Sequence, residues 1–403
     1  MRPVQVRGAE KMTRGYRWLV AFALIVSLSG CSTIKGWFEF DDDDDPKQPA
    51  KLVEFDQTIK IKKLWSHGIG NGQGAGFYQI QPAIKGGVIF AAAADGHVEA
   101  FDKLSGKSLW DVELELPLSG GIGVYGDALL LGSSDGFVLK VDATSGAVLW
   151  TTRLNGEVMS VPGSNGKHVL AHTLDGKLQG LDFETGAVIW TYDSIVPALT
   201  LRGSGSPLIN GNSAYVGFAN GRVLAFDTAT GGINWEVRVA IPQGRSEIER
   251  VVDIDGTMTL LGDELFAASY QGRLVAVNVT DGRKLWQQDV SSFSGVSQGF
   301  GNVYVADEDG TVFAYQRNGR GERWAQTALA YRGLSRPTPV SSYLAVGDRE
   351  GYVHFLSQVD GEFAGRIEAD DDGIRADMLA EENIIYVYGN SGDLIAYEIK
   401  SKE

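Results

Sequence analysis

One short pattern returns eight times along this chain. Its turn glycines are Gly96, Gly136, Gly176, Gly221, Gly272, Gly310, Gly351 and Gly392, separated by 40, 40, 45, 51, 38, 41 and 41 residues. The clearest copy reads Asp135-Gly136, Val138, Val141-Asp142, Gly146, Trp150. Parallel copies run from Asp95-Gly96 to Trp110, from Asp175-Gly176 to Trp190 and from Asn220-Gly221 to Trp235. A unit of about 40 to 45 residues with strand-like content cannot bury both of its faces alone and stacks on its neighbours, which is the logic of a β-propeller.

Each residue of the pattern has a physical task. Asp135-Gly136 lies between the apolar runs 128–131 and 137–141, a strong hairpin signal because glycine takes positive φ without strain. The loop Asp142-Ala-Thr-Ser-Gly146 places an aspartate where it can accept from amides ahead of it, with a glycine for the left-handed position. A strand 147–150 then ends on a large ring suited to covering the seam with a neighbour. With the segment before each hairpin, such as 121–125, every blade has four strands. The expectation is an all-β, eight-bladed propeller of four-stranded blades.

Seven tryptophans occupy the terminal position: Trp65, Trp110, Trp150, Trp190, Trp235, Trp286 and Trp324. No complete repeat precedes Trp65, and the last repeat stops at 392–397 without a terminal strand. The segment around Leu64-Trp65 is therefore expected to supply the outer strand of blade 8. That closure removes a free sheet edge. Repeat six, with Tyr315-Gln316 and a displaced loop, and repeat seven, with Gly365 in the tryptophan position, are worn copies.

The N-terminus obeys other rules. Arg14 and Arg17 precede the apolar core 18–26 and the sequence Leu28-Ser29-Gly30-Cys31. A charged start, a short apolar core and small residues describe a secretory signal. A core this short falls below the ~20 residues of a permanent span. Leu28 to Cys31 resembles the bacterial lipobox, which implies cleavage before Cys31 and acylation of that residue; Ser32 after it implies export to the outer membrane. Either Met1 or Met12 could be the start. The expected organisation is a signal peptide at 1–30, a lipidated tether at 31–58 with the acidic run Asp41 to Asp45, and the propeller at 59–403.

Cys31 is the one cysteine, which excludes an intramolecular disulfide and a cysteine-based metal site. Net charge is −15 overall and −19 without the leader, which carries five basic residues and one acidic. That balance disfavours nucleic acid as a partner. Motifs for chemistry are absent: there is no P-loop or His-Glu-x-x-His, and no Gly-x-Ser-x-Gly elbow, which needs a strand-to-helix turn. His168 and His172 would lie ~13 Å apart on one strand face, too far to share a metal. Gly68 to Gly76 is glycine-rich but lies outside any strand-to-helix context and reads as the entry into blade 1. The recurring Asp102, Asp142, Asp182 and Asp227 read as turn residues.

The repeat Ala100-Phe101-Asp102, Gly106, Trp110 resembles that of the pyrroloquinoline-quinone enzymes. The resemblance raises the alternative of a quinone-dependent dehydrogenase, although adjacent cysteines and a calcium triad are not found in this sequence. A cell-envelope propeller that binds polysaccharide or protein is a further alternative.

Binding should show where the period is broken. The intervals of 45 and 51 residues are consecutive and contain Ile195 to Pro207 and Gln243 to Gly256. Both follow a terminal tryptophan strand, so they are expected as neighbours on the face that carries the Asp-Gly turns. Arginine with apolar neighbours is an interface composition; the bland alternative makes Leu199 and Leu201 core residues of an inner strand. The lipobox, the eight repeats, Leu199-x-Leu201-Arg202 and Arg250-x-x-Asp253-x-Asp255 together resemble the BamB family, lipoproteins of the outer-membrane β-barrel assembly machinery. The resemblance implies a non-enzymatic scaffold facing the periplasm of a Gram-negative bacterium, without cofactor or metal. It implies docking on the barrel-forming subunit BamA through Leu199, Leu201, Arg202, Asp253 and Asp255. Unfolded outer-membrane proteins are further expected partners, held by pairing with a blade edge.

Overall fold

The computed structural model describes residues 47–402 apart from 75, 77 and 202. Cys31, the signal segment, the acidic run and Arg202 therefore lie outside the described residues.

Eight blades of four antiparallel strands form the ring, and the short strand Gln79–Ile80 adds a parallel fifth strand to blade 2. Blade 1 contains Ala83–Lys85, Val88–Ala92, His97–Asp102 and Ser108–Glu113. Blades 2 to 7 occupy residues 118–153, 163–193, 208–238, 259–288, 296–326 and 338–368. Blade 8 combines Leu379–Glu381, Ile384–Tyr388 and Asp393–Ser401 with Ile59–Gly68, which pairs antiparallel along Asp393–Ser401. The first strand among the described residues is thus the outer strand of the last blade, as expected. Residues 49–58, expected to belong to the tether, instead pack on blade 7: Phe55 stacks on Phe363 at 5.1 Å, and Arg332 Nη1 donates to the Ala50 carbonyl at 2.8 Å. The compact body begins at Pro49.

Middle strands are covered by blades on both sides and read as unbroken apolar runs. Ala128–Ser133 is buried throughout, whereas the outer strand Val148–Arg153 alternates with solvent. In every blade the residue before the tryptophan position is the extra residue of a β-bulge. Val148 faces Val141 and Trp150 faces Lys140, which leaves Leu149 unpaired; the same shift strands Leu109, Ile189, Asn234, Leu285, Arg323, Ala364 and Leu64. A bulge re-aims the following side chain and blunts the outer edge.

That re-aimed tryptophan staples seven of the eight seams. Trp110 Nε1 donates to the Ala143 carbonyl of the next blade at 3.0 Å, and the other six indoles do the same to Lys103, Phe183, Thr228, Val279, Arg317 and Gln358 at 2.7–3.2 Å. The loop glycine is the counterpart: a Cβ on Gly146 would lie 2.8–3.1 Å from Val112 and Trp110. The loop itself is held by Asp142, whose Oδ1 accepts from Ser145 N and Oγ at 2.8 and 2.7 Å. Asp102, Asp182 and Asp227 repeat this arrangement with Ser105, Thr185 and Thr230.

The worn repeats have structural reasons. Gly319 closes its loop onto the Gln316 carbonyl, one residue closer than Gly146 onto Asp142, and still meets Trp286. A Cβ on Gly365 would stand 2.6 Å from Ile59, so no tryptophan fits there. Ile59 and Ile61 of the closing strand fill that seam, and Thr58 N donates to the Ala364 carbonyl at 2.8 Å.

Candidate partner-docking face

The two long connections meet on one face of the ring. Leu201 N donates to Asp253 Oδ2 at 3.1 Å, Val252 bridges to Asn220, and a Cβ on Gly203 would touch Asp255 Oδ2 at 2.2 Å. The second connection is anchored by Ile254, fully buried against Gly217, and by Tyr270 N donating to the Asp253 carbonyl at 2.8 Å. The first is anchored at its far end, where His172 Nδ1 bonds the Gly205 carbonyl at 3.0 Å. Between the anchors Leu199 and Leu201 are 44% and 37% exposed. They are not inner-strand residues, because that strand in blade 4 is Leu208–Asn210.

The two aspartates differ from the leucines. Asp253 is buried and its carboxylate points at the Leu201 and Ile254 amides, so it shapes the first loop instead of facing solvent. Burial raises its carboxyl above the usual carboxylate range, against the opposing bonds from the Asp255 carboxyl and the Leu201 and Ile254 amides. Asp255 is pushed well above the usual carboxylate range by burial and by the neighbouring Asp253 charge. A carboxyl pair this close favours one shared proton over two full charges.

These connections carry further exposed apolar residues for which the sequence raises no expectation. Ile195, Ile241 and Ile248 are 87%, 50% and 70% exposed. Their signal was present in the sequence, as isoleucines inside the intervals that exceed the period, but nothing local distinguishes them from buried Ile254.

The ring axis is crossed by the chain's own side chains. Gln79 of the entry segment accepts from Ser206 Oγ at 3.0 Å and donates to the Asp255 carbonyl at 3.3 Å. Thr257 and Arg336 both reach Asp377 Oδ2, at 2.7 and 3.2 Å. Among the described residues no group of three or more His, Cys, Asp or Glu side chains could hold a metal ion.

A family profile described as "Outer membrane protein assembly factor BamB" matches residues 94–326. An assembly factor of that name from Pseudomonas aeruginosa is 57% identical over 352 residues, covering 87% of this chain and 93% of the relative. The chain belongs to the BamB family. The family's Xanthomonas campestris member is 36% identical, covering 95% of this chain and 98% of that one. The solved BamB from Moraxella catarrhalis superposes with a TM-score of 0.78 at 29% identity, covering 84% of this chain and all of that one. A quinohemoprotein alcohol dehydrogenase from Comamonas testosteroni shares the ring at a TM-score of 0.65 but only 12% identity, which is likeness of fold alone.

His172 gives this face a pH dependence. Burial lowers its pKa to about 4 from an ordinary 6.5, so the folded ring holds it neutral. Between those values the unfolded chain binds the extra proton, so stability falls as pH drops through that window, by about 3 kcal/mol when complete. The expected result is that His172→Asn flattens the loss of denaturation midpoint between pH 6.5 and 4.5. An unchanged slope against the parent protein would rule out this assignment.

Proposed function

We propose that this chain is a non-catalytic scaffold of the outer-membrane β-barrel assembly machinery, docking on the barrel-forming subunit BamA and aiding folding and insertion of outer-membrane proteins. The supporting observation is the face itself. Two connections longer than the scaffold needs are locked to each other through Leu201 and Asp253, and they hold Leu199 and Leu201 out to solvent. Leu199, Leu201 and Arg202 make the contact, while Asp253 and Asp255 set the shape of the loop that presents them. The leader 1–30 directs export, and acylated Cys31 anchors the protein at the periplasmic face of the outer membrane. Unfolded clients pair with an outer strand; the bulges confine such pairing to the part of each edge beyond the tryptophan.

The test is binding of the purified protein to the periplasmic domains of BamA. Aspartate at both Leu199 and Leu201 places charge in the contact without touching the core. Affinity is expected to fall about 100-fold or more, in line with the loss of two interface anchors, while the unfolding midpoint stays put. Retained affinity would show that Leu199 and Leu201 are not part of the contact.

A further inference from the structure

The second long connection contains a feature that docking through the leucines leaves unused. Residues 244–250 form a loop closed on itself. Glu249 Oε2 accepts from Arg245 N at 2.5 Å and from Ser246 N at 3.3 Å, and Arg250 Nε donates to the Gly244 carbonyl at 3.3 Å. Gly244 sits at φ +123°, where a side chain would also strike Glu249. From the blade 5 turn, Gln271 Nε2 donates to the Ile248 carbonyl at 3.3 Å. All this ordering holds up one short turn, Ile248–Arg250, that buries none of its own residues. Ile248 stands at its tip, 70% exposed.

Ile195 does the same in the first connection. Its neighbour Val196 is seated on the turn of blade 3, within 2.3 Å of where a Gly176 Cβ would be, and Ile195 is turned outward at 87% exposure. An isolated exposed isoleucine is ordinary. Two on the same pair of interlocked loops, each beside a fixed backbone, are preorganised apolar groups, and preorganisation reduces the ordering cost of binding.

We propose that the contact with the barrel-forming subunit extends past Leu199 and Leu201 to Ile195 and Ile248, one anchor from each insertion, which enter apolar recesses of that subunit. The inference rests on the docking function above. Continuity supports the choice of partner: the segment that carries Ile248 runs on to Asp253, which holds Leu201 N, so a partner seated on the leucines meets the isoleucine tip as part of the same surface. Charge supports apolar recesses. The chain as a whole carries −15, yet Arg245, Glu247, Glu249 and Arg250 leave this loop neutral, with Arg250 and Glu247 paired at 3.4 Å. A neutral, apolar tip binds with little dependence on salt.

The experiment measures affinity of the full mature protein for the purified periplasmic domains of the barrel-forming subunit at low and high salt. The parent is compared with an Ile195→Ser, Ile248→Ser double variant and with Leu199→Asp, Leu201→Asp. The isoleucine variant is expected to bind about 10- to 100-fold more weakly at both salt concentrations, with an unchanged unfolding midpoint because neither residue contributes to the core. If the leucine variant loses affinity and the isoleucine variant does not, the extended contact is wrong and the docking function stands. If neither loses affinity, both are overturned. If only the isoleucine variant does, the anchors are right and the leucine contact is wrong.

Discussion

Replacing Trp65 by alanine is expected to destabilise the ring by about 3–5 kcal/mol, the range for emptying a buried indole site. Trp65 belongs to the strand that closes the ring, and it docks on blade 1. Its ring lies 6.3 Å from Phe101 and 5.9 Å from Tyr386, and its Nε1 donates to the Lys103 carbonyl at 3.1 Å. Gly106 leaves the indole its place, since a Cβ there would approach it to 2.6 Å. The truncation removes apolar burial and a hydrogen bond together, and nothing nearby can collapse into the gap without opening the seam. The measurement is a urea titration of the purified protein: the midpoint should fall with little change in slope. A midpoint equal to the parent's would mean that the closing strand contributes through backbone pairing alone.

Arg332→Met is expected to cost a comparable ~3–5 kcal/mol, for an electrostatic reason. Arg332 is 2% exposed and pairs with Asp348, which is fully buried, at 2.6 Å; its Nη2 reaches Glu350 at 2.5 Å. Asp348 also accepts from His354 Nε2 at 2.8 Å. Burial alone would push the Asp348 carboxyl up, but the bonds from His354, the Tyr352 amide and Arg332 outweigh it and hold it below the usual carboxylate range. A carboxylate held low contributes stability above its unfolded pKa and loses that contribution as pH falls through its folded value, so at neutral pH the full charge is present. Methionine keeps much of the volume but leaves that charge without its cation. Adding Asp348→Asn should restore part of the loss, because a neutral group is cheaper to bury than a lone charge. A double variant no more stable than the single one would reject the charge explanation. Arg332 also donates to the Ala50 carbonyl, and Arg366 Nη1 to the Val53 carbonyl at 2.9 Å. The single variant should therefore expose residues 49–58 to limited proteolysis before the ring unfolds.

The blade count and the tryptophan staples could be read from the sequence because each depends on contacts within a repeat or with the next one, and the closing strand because Trp65 repeats the terminal position ahead of the first full repeat. A ring of nearest-neighbour contacts repeats its local rules, so Asp142, Gly146 and Trp150 announce their roles by returning in register. The same recurrence marked residues 195–207 and 243–256 as surplus to the scaffold. The ring and its two irregular connections were thus both legible, the second as a break in the first.

Tertiary structure decided what a repeat cannot encode. Asp253 and Ile248 lie five positions apart in one loop, yet the aspartate is buried under the first connection and the isoleucine stands in solvent. Polarity alone predicts the reverse, and only the crossing of two loops explains it, since a carboxylate goes inside when the Leu201 amide needs an acceptor there. Gly365 stands in the tryptophan position because Ile59, some 300 residues earlier, occupies the space an indole would need. Arg332 gave no sign of binding residues 49–58, because its partner carbonyl at Ala50 is a backbone atom that any sequence would supply. The sequence determined the repeating scaffold through periodic, short-range chemistry. The tertiary structure decided which side chains of the irregular segments face solvent, because that depends on pairings between distant residues that have no period.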